Sequence, residues 1–397
     1  MRVLSHLICA TAIIAITMTT ACSADSESQA PKPGVDLSKL ETGSFPSAPR
    51  DPNTAKVDAS GQAIEAVRLA AHVPIPYDID PSFEFAYGAY EPRATSSLPG
   101  SIIGIEKADG KEIFKEVLAG WDTAGQRRFA SSAGRRAYIQ VLQYETSAKA
   151  ENSVRRIFDT QRVIKSGTSV NIPDFSTALT TWHNGELHSW LLHKTMVIGV
   201  AFIDPMTIPP DPEPAVTFST KAFKKTIEML ADYTPTPISE MANLPIDVDE
   251  MLSRTLPSVK GEWSSEVPEG AVEPAQAALA RENNPRAAAS AYADAKVDFV
   301  ATDAYTRVYR AADADAAERL LAGLLQPERE YYKVIESPAH LPNAQCFEAR
   351  DKTVNSYRFV PICYVQYDRY VARVTSLHVL DLAQRTAAQY KLLAVGR

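Results

Sequence analysis

The sequence predicts an α+β protein with two related domains, each an antiparallel sheet with helices on one face (β-α-β-β-β-α units). Three observations carry this. Strand-length apolar or alternating runs, such as 138–144 and 196–203, interleave with longer stretches of helical periodicity, such as 148–164. Asn184-Gly185 joins two apolar runs at the spacing of a two-residue hairpin, and a type I′ turn needs positive φ at both central positions. The succession strand, helix, several strands, helix also occurs twice, and antiparallel strands after one β-α crossover fit the α+β class.

The chain opens with an export pattern. Arg2 supplies a positive n-region, Leu7 to Met18 form an apolar run, and small residues lead to Cys22. That run is too short for a transmembrane helix, which needs about 20 residues, but fits the h-region of a signal peptide. A Cys after small residues at this point is where bacterial lipoproteins are acylated and cleaved, so residues 1–21 read as a lipoprotein signal and Cys22 as the lipidation site. The usual Leu three residues before that Cys is replaced by Thr19. The alternatives are ordinary cleavage after Ala21 and a coincidental Cys in a signal peptide. Residues 22–60, rich in Ser, Pro, Asp and Lys, read as a flexible tether.

The first domain is expected over 61–233. Ala63, Ile64, Val67, Ala70 and Ala71 form a helical stripe that Pro74 and Pro76 stop. Residues 77–135 are ambiguous, apart from a short helix at Lys111 to Leu118. A strand at Tyr138 to Tyr144 precedes the helix Ala148 to Ile164. The hairpin Thr177 to Leu192, the apolar strand Met196 to Ile203 and a helix from Thr220 to Tyr233 follow. Residues 234–284, dense in Pro, Glu and Ser, read as a linker.

The second domain is expected over 285–397. It has a strand at Tyr305 to Arg310 and a helix at Ala314 to Leu325. Strands follow near 331–335, 345–350, 357–366 and 370–376, and a helix at Val379 to Leu393 closes the chain. Shifting one domain over the other by 167 residues superposes Tyr138 on Tyr305 and Val141 on Val308. The same shift brings Val154, Ile157 and Phe158 onto Leu321, Leu324 and Leu325. This register points to an internal duplication.

Several short motifs resemble a known family. Asp36-Leu37-Ser38-Lys39-Leu40, Phe45-Pro46 and Pro49-Arg50-Asp51 follow the candidate acylation site. Arg68-Leu69-Ala70 with Val73-Pro74, and Asp381-Leu382-Ala383-Gln384-Arg385 with Ala388-Gln389-Tyr390, continue the pattern. Together they resemble actinobacterial cell-envelope lipoproteins of uncharacterised function. The resemblance implies an envelope location and a two-part body, and no activity.

Composition narrows the partners. The 397 residues, 45% hydrophobic and 22% charged, are ordinary for a globular protein. Loss of residues 1–21 removes Arg2 and no acid, taking the formal charge from −7 to −8. An acidic balance argues against nucleic acid and against anionic headgroups. Membrane attachment is therefore expected from the lipid on Cys22. Of the four cysteines, Cys9 leaves with the signal and Cys22 is the acylation candidate. Cys346 and Cys363 remain as a pair in an oxidising compartment, expected to form a disulfide across a hairpin.

The candidate chemistry is sparse. Trp121-Asp122-Thr123-Ala124-Gly125-Gln126 looks like a GTPase switch segment, yet the nearest candidate P-loop, Gly104 to Lys111-Glu112, has the wrong spacing and Glu in place of the Mg²⁺-binding hydroxyl. His183, Glu186 and His188 share one hairpin face and offer metal-ligand types, against the plainer reading of a solvated polar tip. Asp247, Asp249 and Glu250 lack the turn glycine and ligand number of a calcium loop. The chain shows no nucleophile elbow, His-Glu-x-x-His or Cys-x-x-Cys. No catalytic residue, cofactor or metal ligand is therefore assigned. The expectation is a non-catalytic envelope lipoprotein that binds a partner protein, wall component or lipid. The alternative is an envelope hydrolase or metal-dependent enzyme with a site assembled between the domains, and a third reading is a purely structural spacer.

Overall fold

A computed structural model describes residues 34–87, 113–114, 116–129, 134–164, 166–258, 270–351 and 359–395. The expected signal peptide, Cys22, the first part of the tether and three of the eight residues of the helix expected at 111–118 lie outside the described residues. Two 3₁₀ turns, Leu37–Lys39 and Pro52–Ala55, precede α1 (Ser60–Ala70) and α2 (Pro76–Ile79). The first domain continues as β1 (Phe85–Ala86), β2 (Ala119–Gln126), β3 (Arg136–Gln143), α3 (Ser147–Ile164), β4 (Leu179–His183), β5 (Glu186–His193), β6 (Met196–Ile203) and α4 (Glu213–Leu230). After α5 (Ile238–Met241) come β7 (Gly270–Pro274), α6 (Ala275–Leu279), α7 (Pro285–Ala295), β8 (Phe299–Asp303) and β9 (Thr306–Arg310). The chain ends with α8 (Ala314–Tyr331), β10 (Tyr332–Ile335), β11 (Gln345–Ala349), β12 (Ile362–Tyr367), β13 (Tyr370–Thr375) and α9 (Val379–Ala394).

Both sheets are antiparallel and share one wiring. The first runs β1-β2-β3-β6-β5-β4, and the second β7-β8-β9-β13-β12-β11, with β10 added outside β11. Helices α3 and α8 are both 18 residues long, and Ser147 maps to Ala314 as Ile164 maps to Tyr331, a displacement of 167 residues. The α+β class with two antiparallel sheets is thus as the sequence predicts. The strands β1, β2, β7 and β8 were not legible from periodicity.

Helix placement differs from expectation. In the first sheet Ile139, Val141, Ile198 and Val200 pack against Phe218, Ala222 and Phe223 of α4 and against Val67 and Leu69 of α1. The alternate residues Leu142, Trp190, Val197 and Ala201 pack against Ala150, Val154 and Ile157 of α3. Helices therefore cover both faces, not one. The reason is the sequence of β6, Met196–Ile203, which is apolar at every position and must be shielded on each side. The second sheet repeats this. Leu320, Leu321 and Leu324 of α8 cover Tyr309, Ile362 and Val371. On β12, Cys363 and Val365 are as buried as Ile362 and Tyr364, so both faces are shielded, and α9 packs along β12 and β13. Gly199 lies opposite Trp190, and a Cβ there would come within 2.3 Å of the indole, so the ring's seat requires glycine.

Two segments expected as loose are packed. From Leu37 on, the tether lies against the second domain: Leu40 is buried, Phe45 joins Leu256, Ala388 and Leu392, and Arg50 pairs with Asp303 at 2.9 Å. Its few apolar side chains have a surface to bury against, which composition alone does not reveal. The expected linker holds α5, β7 and α6, with Met251, Leu252 and Leu256 buried. Its strand β7 closes the edge of the second sheet against β8. Glu65 fastens α1 to the chain beyond α4. It accepts from the Tyr233 hydroxyl at 2.5 Å and from the Thr236 amide and hydroxyl at 2.8 and 2.7 Å. Burial alone would raise its pKa, but these bonds together with Arg68 hold the carboxyl below its ordinary value.

Cys346 and Cys363 face each other across β11 and β12 and form a disulfide, with Cα atoms 4.1 Å apart. The bridge closes a loop that spans 17 residues of sequence. A Cys346→Ala, Cys363→Ala double variant should lose roughly 3 kcal/mol of stability in the chain-entropy view. Urea unfolding of the oxidised wild type and the variant checks this, and equal midpoints would count against it.

Candidate functional site

A cleft of about 730 Å³ lies between the two sheets. Its near wall comes from the first domain, with Glu84 and Phe85 at β1 and Phe129 after β2. The rest is built from the segment before α7, from α7, from the last turns of α8 and from Phe359 and Tyr364. Asn284 caps α7 by accepting from the Ala287 amide at 3.0 Å, and Pro285 occupies the first turn, so the chain reverses sharply into the cleft wall. Pro327 lies inside α8 without ending it, and the helix carries Glu328 and Tyr331 into the cleft lining.

The floor is polar and tied together. Oε1 of Glu282 accepts three hydrogen bonds, from the hydroxyls of Tyr292 and Tyr309 at 3.0 Å each and from the Arg307 guanidinium at 3.1 Å. Among the described residues no donor reaches its Oε2. The Tyr364 hydroxyl donates to Glu328 at 3.3 Å. Burial raises the Glu328 pKa above the ordinary carboxyl value, although the Arg373 guanidinium opposes the shift. Burial likewise pushes the Tyr364 and Tyr309 phenols well up, so both remain donors at any physiological pH. Behind the floor, Glu273 is buried with Arg281 at 2.8 Å, and Arg281 lies 5.2 Å over the Trp121 ring of the first domain.

One wall is aromatic. Phe129 lies 4.5 Å from Tyr331, 5.5 Å from Phe359 and 5.3 Å from Phe85, measured between ring centroids. Both cations at the rim are in ion pairs, Arg286 with Glu84 at 2.6 Å and Arg319 with Asp294 at 3.0 Å. The arrangement offers ring faces on one side and hydrogen-bonding groups on the other, as small-ligand pockets of this size do.

The residues singled out in the sequence fall elsewhere. His183 pairs with Glu186 and Thr181 with His188, as the hairpin reading requires, and Asn184 and Gly185 have φ of 45° and 85°. His183 is exposed while His188 is buried, with a ring nitrogen 3.7 Å from Glu186. Among the described residues no three His, Cys, Asp or Glu side chains are grouped to hold a metal ion. A recess of about 360 Å³ beside the tip is lined by Ile164, Ser166, His183, Asn184 and Glu186. The acidic trio is structural. Asp247 accepts from the amides of Val248, Leu252 and Ser253, Asp249 pairs with Arg310, and Glu250 with Arg254. The stretch 121–126 is strand β2, where Thr123 donates to the Pro74 carbonyl at 2.8 Å.

None of the cleft residues stood out in the sequence. Glu282 lies in the stretch read as linker, Glu328 beyond the expected end of its helix, and Phe129 in the ambiguous stretch 77–135. The one available signal was the Pro327-Glu328-Arg329-Glu330-Tyr331-Tyr332 run, with aromatic residues directly after a charged turn.

Comparison with known proteins gives two matches. Residues 52–246 match the N-terminal domain, and residues 251–396 the C-terminal domain, of a family described as a domain of unknown function (DUF7373). The second match begins well before Pro285, so it takes in β7 and α6 with the rest of their sheet. No curated protein and no solved structure matches the chain.

A carboxyl whose folded pKa is raised favours the folded state most at low pH and loses that advantage as pH rises through the folded value. Glu328→Gln, which mimics the protonated form, should therefore match or exceed the wild-type melting temperature at neutral pH. The gap should close below the ordinary carboxyl range. Thermal melts from pH 4 to 8 test this, and a variant less stable than wild type at neutral pH would refute it.

Proposed function

The chain belongs to the DUF7373 family, whose function is unknown, and from that premise we propose that it is a non-catalytic, lipid-anchored binding protein of the cell envelope. In this reading Cys22 holds it on the extracytoplasmic face of a membrane, and the cleft between the two sheets holds its ligand. The anchor rests on the export pattern before Cys22 and on the likeness of the short motifs to actinobacterial envelope lipoproteins. Several acyl chains, each contributing about 0.8 kcal/mol per buried methylene, hold such a protein firmly. No helix among the described residues is long and apolar enough to cross a membrane.

The observation that carries the binding role is the cleft itself, with Phe129 and Tyr331 on one wall and Glu282, Glu328 and Tyr364 on its floor. A second reading, a hydrolase, is favoured by one observation: two carboxyls in different settings, Glu282 and Glu328, line the same cavity. We place binding first because the floor groups are bonded to one another as donors and acceptors, not paired as nucleophile and base.

Two experiments test the two halves of this reading. Cys22→Ala, expressed in the native host, should move the protein out of the detergent phase, and unchanged partitioning would overturn the anchor. For the cleft, Ser290 is exposed on α7 at the rim, so Ser290→Trp blocks the opening without touching the core. Native mass spectrometry of the full chain extracted from membranes should find a bound small molecule on the wild type and none on the variant. The same mass on both, or on neither, would count against the cleft as the binding site.

A further inference from the structure

We propose that the cleft takes a neutral carbohydrate, a short run of sugar rings held between the aromatic wall and the carboxyl floor. This inference rests on the binding role assigned to the cleft above. A sugar ring has two kinds of surface, patches of C–H that lie well against an aromatic face and hydroxyls that each demand a donor or an acceptor. The cleft supplies both. Phe129 and Tyr331, 4.5 Å apart and only partly buried, make the platform.

The opposing side is set up for hydroxyls. Oε2 of Glu282 is left without a donor by the network that occupies Oε1. Asn284 spends its side-chain oxygen on the α7 cap, and its amide nitrogen, a donor of two hydrogens, belongs to the same lining. Glu328 adds a carboxyl already steadied by Tyr364.

Charge decides against the rival ligands. A phosphate, a sulfate or an anionic headgroup needs an unpaired cation, and the two arginines of the lining are engaged with Glu84 and Asp294. Of the acids on the floor, Glu282 faces Arg307 and Glu328 lies in the field of Arg373, so a strongly cationic ligand gains little there. An acyl chain would strand polar groups, since most residues of the lining are polar, and each buried without a partner costs roughly 1–3 kcal/mol. A ligand without net charge but dense in hydroxyls satisfies all of these at once.

The test is isothermal titration of the full chain with maltotriose, cellotriose and triacetylchitotriose, and separately with phosphatidylglycerol vesicles. At least one trisaccharide should bind. Tyr331→Ala should weaken it about tenfold, the scale of one aromatic contact. Tyr331→Phe, which keeps the ring, should retain the affinity, and Ser290→Trp should abolish it. Vesicle binding without trisaccharide binding would overturn the proposal in favour of a lipid, and failure of all three trisaccharides would also overturn it. If they fail while a co-purifying molecule is still lost in Ser290→Trp, only the carbohydrate assignment falls. Trisaccharide binding that survives Ser290→Trp would remove the cleft from both readings.

Discussion

The constraint on which the architecture depends is the burial of the central strands on both faces. In β6 every position is apolar, and in the neighbouring β3 both odd and even positions are largely buried, so no single layer of helices can shield them. One helix of each domain, α3 or α8, crosses from the sheet's early strands to its later ones on one face. The helix after the last strand, α4 or α9, covers the other. That pattern, repeated with the same strand order, yields two three-layered bodies from one plan. The first domain adds α1, which packs against both β2 and β7 and so joins the two sheets.

The cleft is where this plan leaves polar groups under partial cover. A carboxylate removed from water costs several kcal/mol unless charges and donors replace its hydration. Glu282 meets that demand with two phenols and a guanidinium. At Glu273 and Glu328 burial outweighs the help received, from Arg281 in the first case and from Arg373 and Tyr364 in the second. A folded chain gains nothing in stability from such a residue, which makes the cleft wall a natural place to look for function.

The short motifs near the two ends of the chain have a structural meaning. Phe45 lies under the Arg385 guanidinium at 4.6 Å, and the same guanidinium stacks on Tyr305 at 4.5 Å. Gln389 accepts from the Leu256 amide and donates to the Arg254 carbonyl. The segment around Phe45 and the face of α9 are thus two halves of one contact. Gly43, at φ of 55°, packs against Gln384, where a side chain would collide. These residues read as the fastening of the N-terminal segment onto the second domain and lie apart from the cleft.

The sequence by itself determined the features that are local. Asn184-Gly185 dictated a turn that only one hairpin geometry accepts, and the helical stripes at 148–164 and 314–325 dictated two corresponding helices. Two cysteines in alternating segments dictated a cross-strand bridge. It did not determine which face a helix covers, because periodicity reports that a stripe is buried and not what buries it. Nor did it show that Leu40 and Phe45 have a partner, or that Gly270–Pro274 completes a sheet edge, since those short runs gain their stability from strands far away in the chain. The cleft lay furthest from reach. Phe85, Phe129, Glu282, Glu328 and Phe359 are spread across the whole chain, and only the packing of two sheets brings them together, because hydrogen bonds and ring contacts depend on distance in space while motifs depend on distance in sequence.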